Sequence, residues 1–310
     1  MNVDRTRPLT GIVLKIGSVV FFITMSALIK AASETVPPGQ TVFFRSLCSI
    51  PVILVWLGWR GELRVGLKTA NPMGHLWRGV VGTSAMGLGF AGLAFLPLPE
   101  VTAIGFATPI LTVVFAAMFL GERVRAFRLT AVALGMAGVL IVLSPRLSMG
   151  ADITHAETLG AVLVLMGAVF AALAQVFVRK LVDTETTPAI VFWFAVTAST
   201  LSLLTLPFGW VVPDLRILAL LVLAGFLGGM GQVLVTSAYR FADASVVAPF
   251  TYVQILFALA IGYWVFGEVP TLTMLGGAGL VIAAGILIIW RERQLGLERT
   301  QPGKVTTPQG

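Results

Sequence analysis

Ten times along this chain, apolar residues run on for about twenty positions with almost no charge. That length carries a helix across roughly 30 Å of hydrocarbon, and little else demands it. The runs span about 10–31, 38–58, 75–96, 100–120, 127–144, 159–179, 188–208, 216–239, 245–266 and 271–290. Short Pro, Gly or charged connections separate them, as at Pro37-Pro38-Gly39, Pro97-Leu98-Pro99 and Gly267-Glu268-Val269-Pro270. Composition agrees: 11% of residues are charged, against roughly a quarter in soluble domains. The pattern predicts an all-α, polytopic membrane protein of ten transmembrane helices with a polar tail over 291–310. The first run holds Lys15 and is longer than a secretory-signal core, so it is read as a retained helix.

Basic residues give the orientation. With the N-terminus in the cytoplasm, seventeen of the 21 Lys and Arg fall on that side, Arg78 among them. Three (Lys30, Arg146, Arg216) fall on the other, and Arg45 lies inside a span. This asymmetry predicts an inner-membrane protein with both termini cytoplasmic. The net charge of +7 is spread among loops, which argues against nucleic acid. Trp56, Trp59, Trp77 and Trp290 fall at cytoplasmic span ends, and Trp210 and Trp264 at outer ends. Trp193 sits inside its helix instead and is a candidate to face a cavity.

The chain repeats itself. Segment 101–122 resembles 247–268, each an apolar helix closed by Gly-Glu, at an offset of 146. Segment 30–44 resembles 179–193 at an offset of 149. Each half, 10–144 and 159–290, then holds five spans. Because five is odd, the halves enter the membrane from opposite sides. Secondary transporters use such inverted repeats to alternate the access of one central site.

Ten spans, the helix ends Gly121-Glu122 and Gly267-Glu268, and Phe43-Phe44-Arg45-Ser46 together resemble the drug/metabolite transporter superfamily with paired EamA domains. The resemblance implies a central cavity lined by the first four helices of each half, with the fifth helices peripheral. A narrower resemblance to bacterial riboflavin transporters rests on Leu14-Lys15, on Ala27-Leu28-Ile29-Lys30, and on Pro97-Leu98-Pro99-Glu100. The position aligned with Arg45 in the second half is Phe194.

Few polar residues fall within the spans. Arg45 is either a structural partner for Glu34, Gln40 or Glu100, or a donor to a substrate oxygen. Lys15 and Lys30 are expected to snorkel to opposite surfaces. Gln254 is the repeat partner of Thr108, and Tyr252 that of Phe106. These four form a candidate site of two polar groups and two rings. Gln175, Gln232 and Trp193 complete the candidate substrate-binding set. No Asp or Glu lies mid-span, which predicts exchange or uniport without carboxylate-based proton coupling.

One cysteine (Cys48) and two histidines (His75, His155) leave no metal or cofactor site and no catalytic constellation. The expected function is secondary transport of a small, largely uncharged metabolite, led by riboflavin uptake. Export of amino acids or related metabolites is the alternative, in which Arg45 would meet a carboxylate. A non-catalytic assembly subunit is the competing class. The expected partners are the bilayer and a small-molecule substrate, with a homodimer left open.

Overall fold

The computed structural model describes residues 8–120, 126–147, 155–182, 184–241 and 248–300. The first Gly-Glu end (Gly121-Glu122), the start of the ninth expected span and the tail beyond residue 300 lie outside these. The described residues are helical, without strands. The helices are α1 (Pro8–Ala32), α2 (Pro38–Trp59), the short α3 (Leu63–Gly66), α4 (Pro72–Leu93), α5 (Leu98–Gly105), α6 (Ala107–Leu120) and α7 (Ala126–Leu147). There follow α8 (His155–Val182), α9 (Thr187–Ser202), α10 (Leu215–Phe241), α11 (Gln254–Phe266) and α12 (Leu272–Thr300).

Six segments are long and apolar enough to cross a membrane, and three shorter apolar ones lie at Thr130–Pro145, Phe250–Phe266 and Leu272–Leu287. At 22 residues, α4 is as long as a span. Its glycines, His75 and Arg78 make it less apolar than the six. Large apolar side chains such as Leu204, Val212, Leu215, Trp264 and Leu272 stand exposed around the bundle. In water they would be a liability, whereas lipid accepts them.

Local chemistry sets the helix ends. Proline occupies the first turn of α2, α4, α5 and α9, where its missing N–H costs nothing. The Asn71 side chain accepts the Gly74 N–H at 2.9 Å to cap α4, a contact worth about 1 kcal/mol. At the end of α11, Gly267 takes a left-handed φ of 67°. Its N–H donates to the Tyr263 carbonyl, and the Glu268 N–H donates to that of Gly262. The left-handed turn that ends the helix thereby aims the Glu268 side chain back into the bundle.

The fourth expected span of the first half is not one rod. It breaks at Phe106 between α5 and α6, three residues before Pro109. In the second half, a 3-10 turn over Ala248–Val253, holding Pro249 and Tyr252, precedes α11. The two discontinuities are thus repeat-related.

Helix pairings are preserved when the halves exchange roles. α1 lies along α10 as α8 lies along α4, α2 meets α9, and α7 meets α12. Small residues permit the closest approach. A Cβ on Gly138 of α7 would lie 2.7 Å from the Gly277 carbonyl, and one on Gly277 of α12 2.7 Å from that of Gly138. Without a hydrophobic driving force in lipid, such backbone contact is what joins the helices.

Candidate functional site

Arg45 lies buried in α2, and Arg78 in α4 is half-buried with its Nε and Nη1 atoms enclosed. Among the described residues neither has a hydrogen-bond or ion-pair partner. Arg45 Nε and Arg78 Nε and Nη1 are all buried and unsatisfied. The Arg78 guanidinium stacks over the Phe194 ring of α9, 3.6 Å from its centroid. It also sits within the electric field of Arg45. Next along α9, Trp193 keeps its Nε1 buried without an acceptor, as do the hydroxyls of Ser46 and Thr83. A buried guanidinium without a counter-charge costs several kcal/mol, and two that repel each other cost more.

Two glycines make room for the pair. A Cβ on Gly228 of α10 would come within 3.2 Å of Arg45 Nε and 2.9 Å of Met25 Sδ. On α4, a Cβ on Gly82 would collide with Arg78 Nη1 and lie 2.8 Å from the Phe194 ring. Gly228 follows Gly82 by 146 residues, and Phe194 follows Arg45 by 149. These are the two repeat offsets. Each half therefore presents a glycine to the repeat-related position of the other, Arg45 in one case and Phe194 with Arg78 in the other.

The charged groups at one end of the bundle are fully engaged. Lys30, near the end of α1, pairs with Glu268 Oε1 at 3.0 Å. It also donates to the carbonyls of Leu96 (2.6 Å) and Leu93 (3.3 Å). Glu268 Oε2 accepts the Leu98 N–H at 2.9 Å. The cluster ties α1, the α4–α5 connection and the end of α11 together. Nearby, Gln40 grips the backbone of Val211, donating to its carbonyl at 2.8 Å and accepting its N–H at 3.1 Å. Lys30, expected to snorkel, is thus a partner in a buried network. Gln40, expected near Arg45, is committed to Val211, and Glu34 is exposed.

At the opposite end, Glu185 Oε1 gathers three donors at 2.7 Å: Thr69 Oγ1 and the N–H groups of Ala70 and Asn71. His75 Nε2 stands 3.5 Å away. Burial pushes the Glu185 pKa upward, but the Thr69, Asn71 and Ala70 hydrogen bonds and the charge of His75 outweigh it. The carboxyl is held below its ordinary value.

The residues singled out from sequence fall into separate places. Phe106 and Tyr252 touch edge to face, with centroids 5.1 Å apart. Both are buried in the apolar cluster with Val139, Val142 and Val281 of α7 and α12, and the Tyr252 ring abuts Gly285. These rings therefore face the fifth helices. Thr108 makes a long contact of 3.5 Å to the Ala168 carbonyl. Gln232 and Gln254 are half-buried, and Gln175 is exposed. Arg45 and Trp193 alone of the set belong to the unpaired polar group. Arg78, counted from sequence with the cytoplasmic basic residues, is the residue that reading missed. Its signal was its place one turn before Gly82, together with an aromatic ring where the repeat lacks an arginine.

The EamA-like transporter family matches the chain twice, over residues 9–144 and 158–290. The chain belongs to the EamA-like transporter family. It is 33% identical over 279 residues to the pseudopaline exporter CntI of Pseudomonas aeruginosa, covering 88% of this chain and 94% of that protein. It is 28% identical over 257 residues to the S-adenosylmethionine uptake transporter of Rickettsia bellii, covering 82% and 84%. It is 31% identical over 235 residues to the riboflavin transporter of Rhizobium johnstonii, covering 74% and 75%. A protein of known crystal structure shares the fold at TM-score 0.65 and 18% identity, over 92% of this chain and 98% of that one. The apolar helices and these bacterial relatives make it a multi-pass bacterial membrane protein that transports a small molecule.

Proposed function

We propose that the protein is a secondary transporter that moves a small organic metabolite across the bacterial inner membrane by alternating access. In this reading α4 is one of ten spans, both termini are cytoplasmic, and the five-helix halves are inverted with respect to each other. The observation that carries it is the exchange-preserving pairing of helices around buried polar groups on α2, α4 and α9 that have no protein partners. Two halves that pack alike can swap shapes at little cost in energy. A swap would move the opening from one face to the other. The Lys30–Glu268 network ties α1, the α4–α5 connection and the end of α11 together, so a swap that parts these elements must break it.

Uptake of riboflavin is one specific form of this reading, and the relative from Rhizobium johnstonii favours it. The relative from Pseudomonas aeruginosa, an exporter, favours outward transport of a different metabolite. Direction and substrate are tested together with purified protein in proteoliposomes. Counterflow of a labelled compound against an internal pool of the same compound is expected, without ATP. Rescue of a riboflavin-auxotrophic bacterium at limiting vitamin decides for riboflavin. Absence of counterflow for every metabolite tried, from correctly inserted protein, would remove the transporter reading.

A further inference from the structure

We infer that the Arg45–Arg78 pair is an anion-binding site and that the transported molecule carries a carboxylate or another planar or tetrahedral oxyanion. The inference rests on the transporter reading and adds the chemistry of its cargo.

Two guanidiniums on helices that pack together, α2 and α4, lack any protein counter-charge among the described residues. A carboxylate placed there by the protein itself would neutralise them permanently. Its absence leaves the charge to be met by something that comes and goes. Each guanidinium presents its N–H donors in the plane of the group. Stacking on Phe194 occupies a face of Arg78 and leaves that plane available. The unsatisfied Nε and Nη1 of Arg78 are two separate buried donors on different edges of the group, each able to meet an oxyanion oxygen. Arg45 Nε supplies a further buried donor. An uncharged ligand would leave both charges desolvated and uncompensated, so the site selects against it.

The anion would also favour one conformation over the other. In the empty protein two uncompensated cations sit on the packed helices α2 and α4, and like charges repel. A bound oxyanion turns that repulsion into attraction to a shared centre. It thus stabilises the conformation in which α2, α4 and α9 surround the cargo.

The test uses the full-length protein in detergent, with unfolding temperature read against matched pairs of compounds. Each pair consists of an organic acid and its uncharged amide, such as succinate and succinamide, or N-acetyl-L-phenylalanine and N-acetyl-L-phenylalaninamide. Glucose 6-phosphate tests the phosphate arm and riboflavin the uncharged one. Stabilisation by acids and not by their amides is expected, with the response to carboxylate or phosphate naming the oxyanion. Arg78→Gln and Arg45→Gln should each weaken that response by more than about tenfold, the loss of a charged hydrogen bond. The same variants should leave the ligand-free unfolding temperature equal or higher, because each removes an unpaired buried charge. A structural role predicts the reverse, a lower ligand-free temperature with the ligand response intact, and would overturn the inference. A panel in which no acid stabilises, or in which riboflavin alone does so equally in wild type and variants, also overturns it. Counterflow in proteoliposomes separates the two levels. Transport of riboflavin insensitive to Arg78→Gln defeats the anion site and leaves the transporter standing.

Discussion

Two charged regions of this molecule sit in the same apolar bundle and are treated in opposite ways. At the end of the bundle where α1 stops, Lys30 meets a carboxylate and two carbonyls, and Glu268 meets an ammonium and a backbone N–H. Elsewhere, Arg45 and Arg78 meet no counter-charge among the described residues, and Arg78 stacks on a ring. A charge buried in a low-dielectric interior has to be compensated, and the first region compensates it within the protein. The second postpones compensation. Satisfied charges hold a conformation, whereas unsatisfied ones wait for a ligand.

The comparison breaks most sharply at the arginines. Arg78→Gln or Arg45→Gln should lower transport more than about tenfold while keeping the ligand-free protein as stable as before. Uptake kinetics and thermal unfolding of the same preparations check both halves of that statement. At the network, Lys30→Gln or Glu268→Gln should instead cost stability. Each strands its partner in the bundle, a loss of about 3 kcal/mol. Exchanging the two residues together should recover part of it, and a double-mutant cycle on unfolding temperatures measures the coupling. If Arg78→Gln destabilises as much as Lys30→Gln, the contrast between the two regions is gone.

Smaller effects sharpen the boundary of the site. Gly285→Ala drives a methyl into the Tyr252 hydroxyl and should destabilise by about 1–3 kcal/mol as overpacking. Substrate affinity should hold, because the Phe106–Tyr252 rings face α7 and α12. A selective loss of affinity in a binding titration would return those rings to the site. Gln254→Ala is expected to weaken binding a few-fold at most, and Gln175→Ala not at all. Their transport constants distinguish a cavity residue from an exposed one.

The smallest effect concerns pH at the Glu185 cluster. Its carboxyl is held below the ordinary value of 4.5, so its contribution is fully present above that value. It disappears as pH falls through the lowered one. Stability should therefore be flat in this term from neutrality down to mild acid and fall only in strong acid. Glu185→Gln should remove that acid-side drop, as read by unfolding temperature against pH.

Some of this was legible in the residues because it depends on what is local. Runs of about twenty apolar residues can only be helices in lipid, and prolines and the Gly267-Glu268 pair mark where helices begin or stop. Family membership follows from the same signals and from the repeat, and the double family match over 9–144 and 158–290 agrees with it. The break at Phe106 was foreshadowed by Pro109, and that before α11 by Pro249.

The candidate site was legible only in part. Arg45 stood out because it is a charge deep in a span. Arg78 did not, because a charge seven residues into a helix looks the same in sequence whether it turns to the surface or inward. Lys30 and Glu268 each read as a helix-end residue, and their 238-residue separation hid the pair. Phe106 and Tyr252, read from sequence as repeat partners, touch. Repeat symmetry says only that they are equivalent, not which way they face.

What the sequence alone determined is the apolar span pattern, the helix ends and the twofold repetition, since hydrophobic length and turn chemistry act over a few neighbouring residues. Tertiary structure decided which charges are answered and which are left open. Compensation of a buried charge depends on atoms brought within a few ångströms from helices far apart in the chain, and no local pattern encodes that distance.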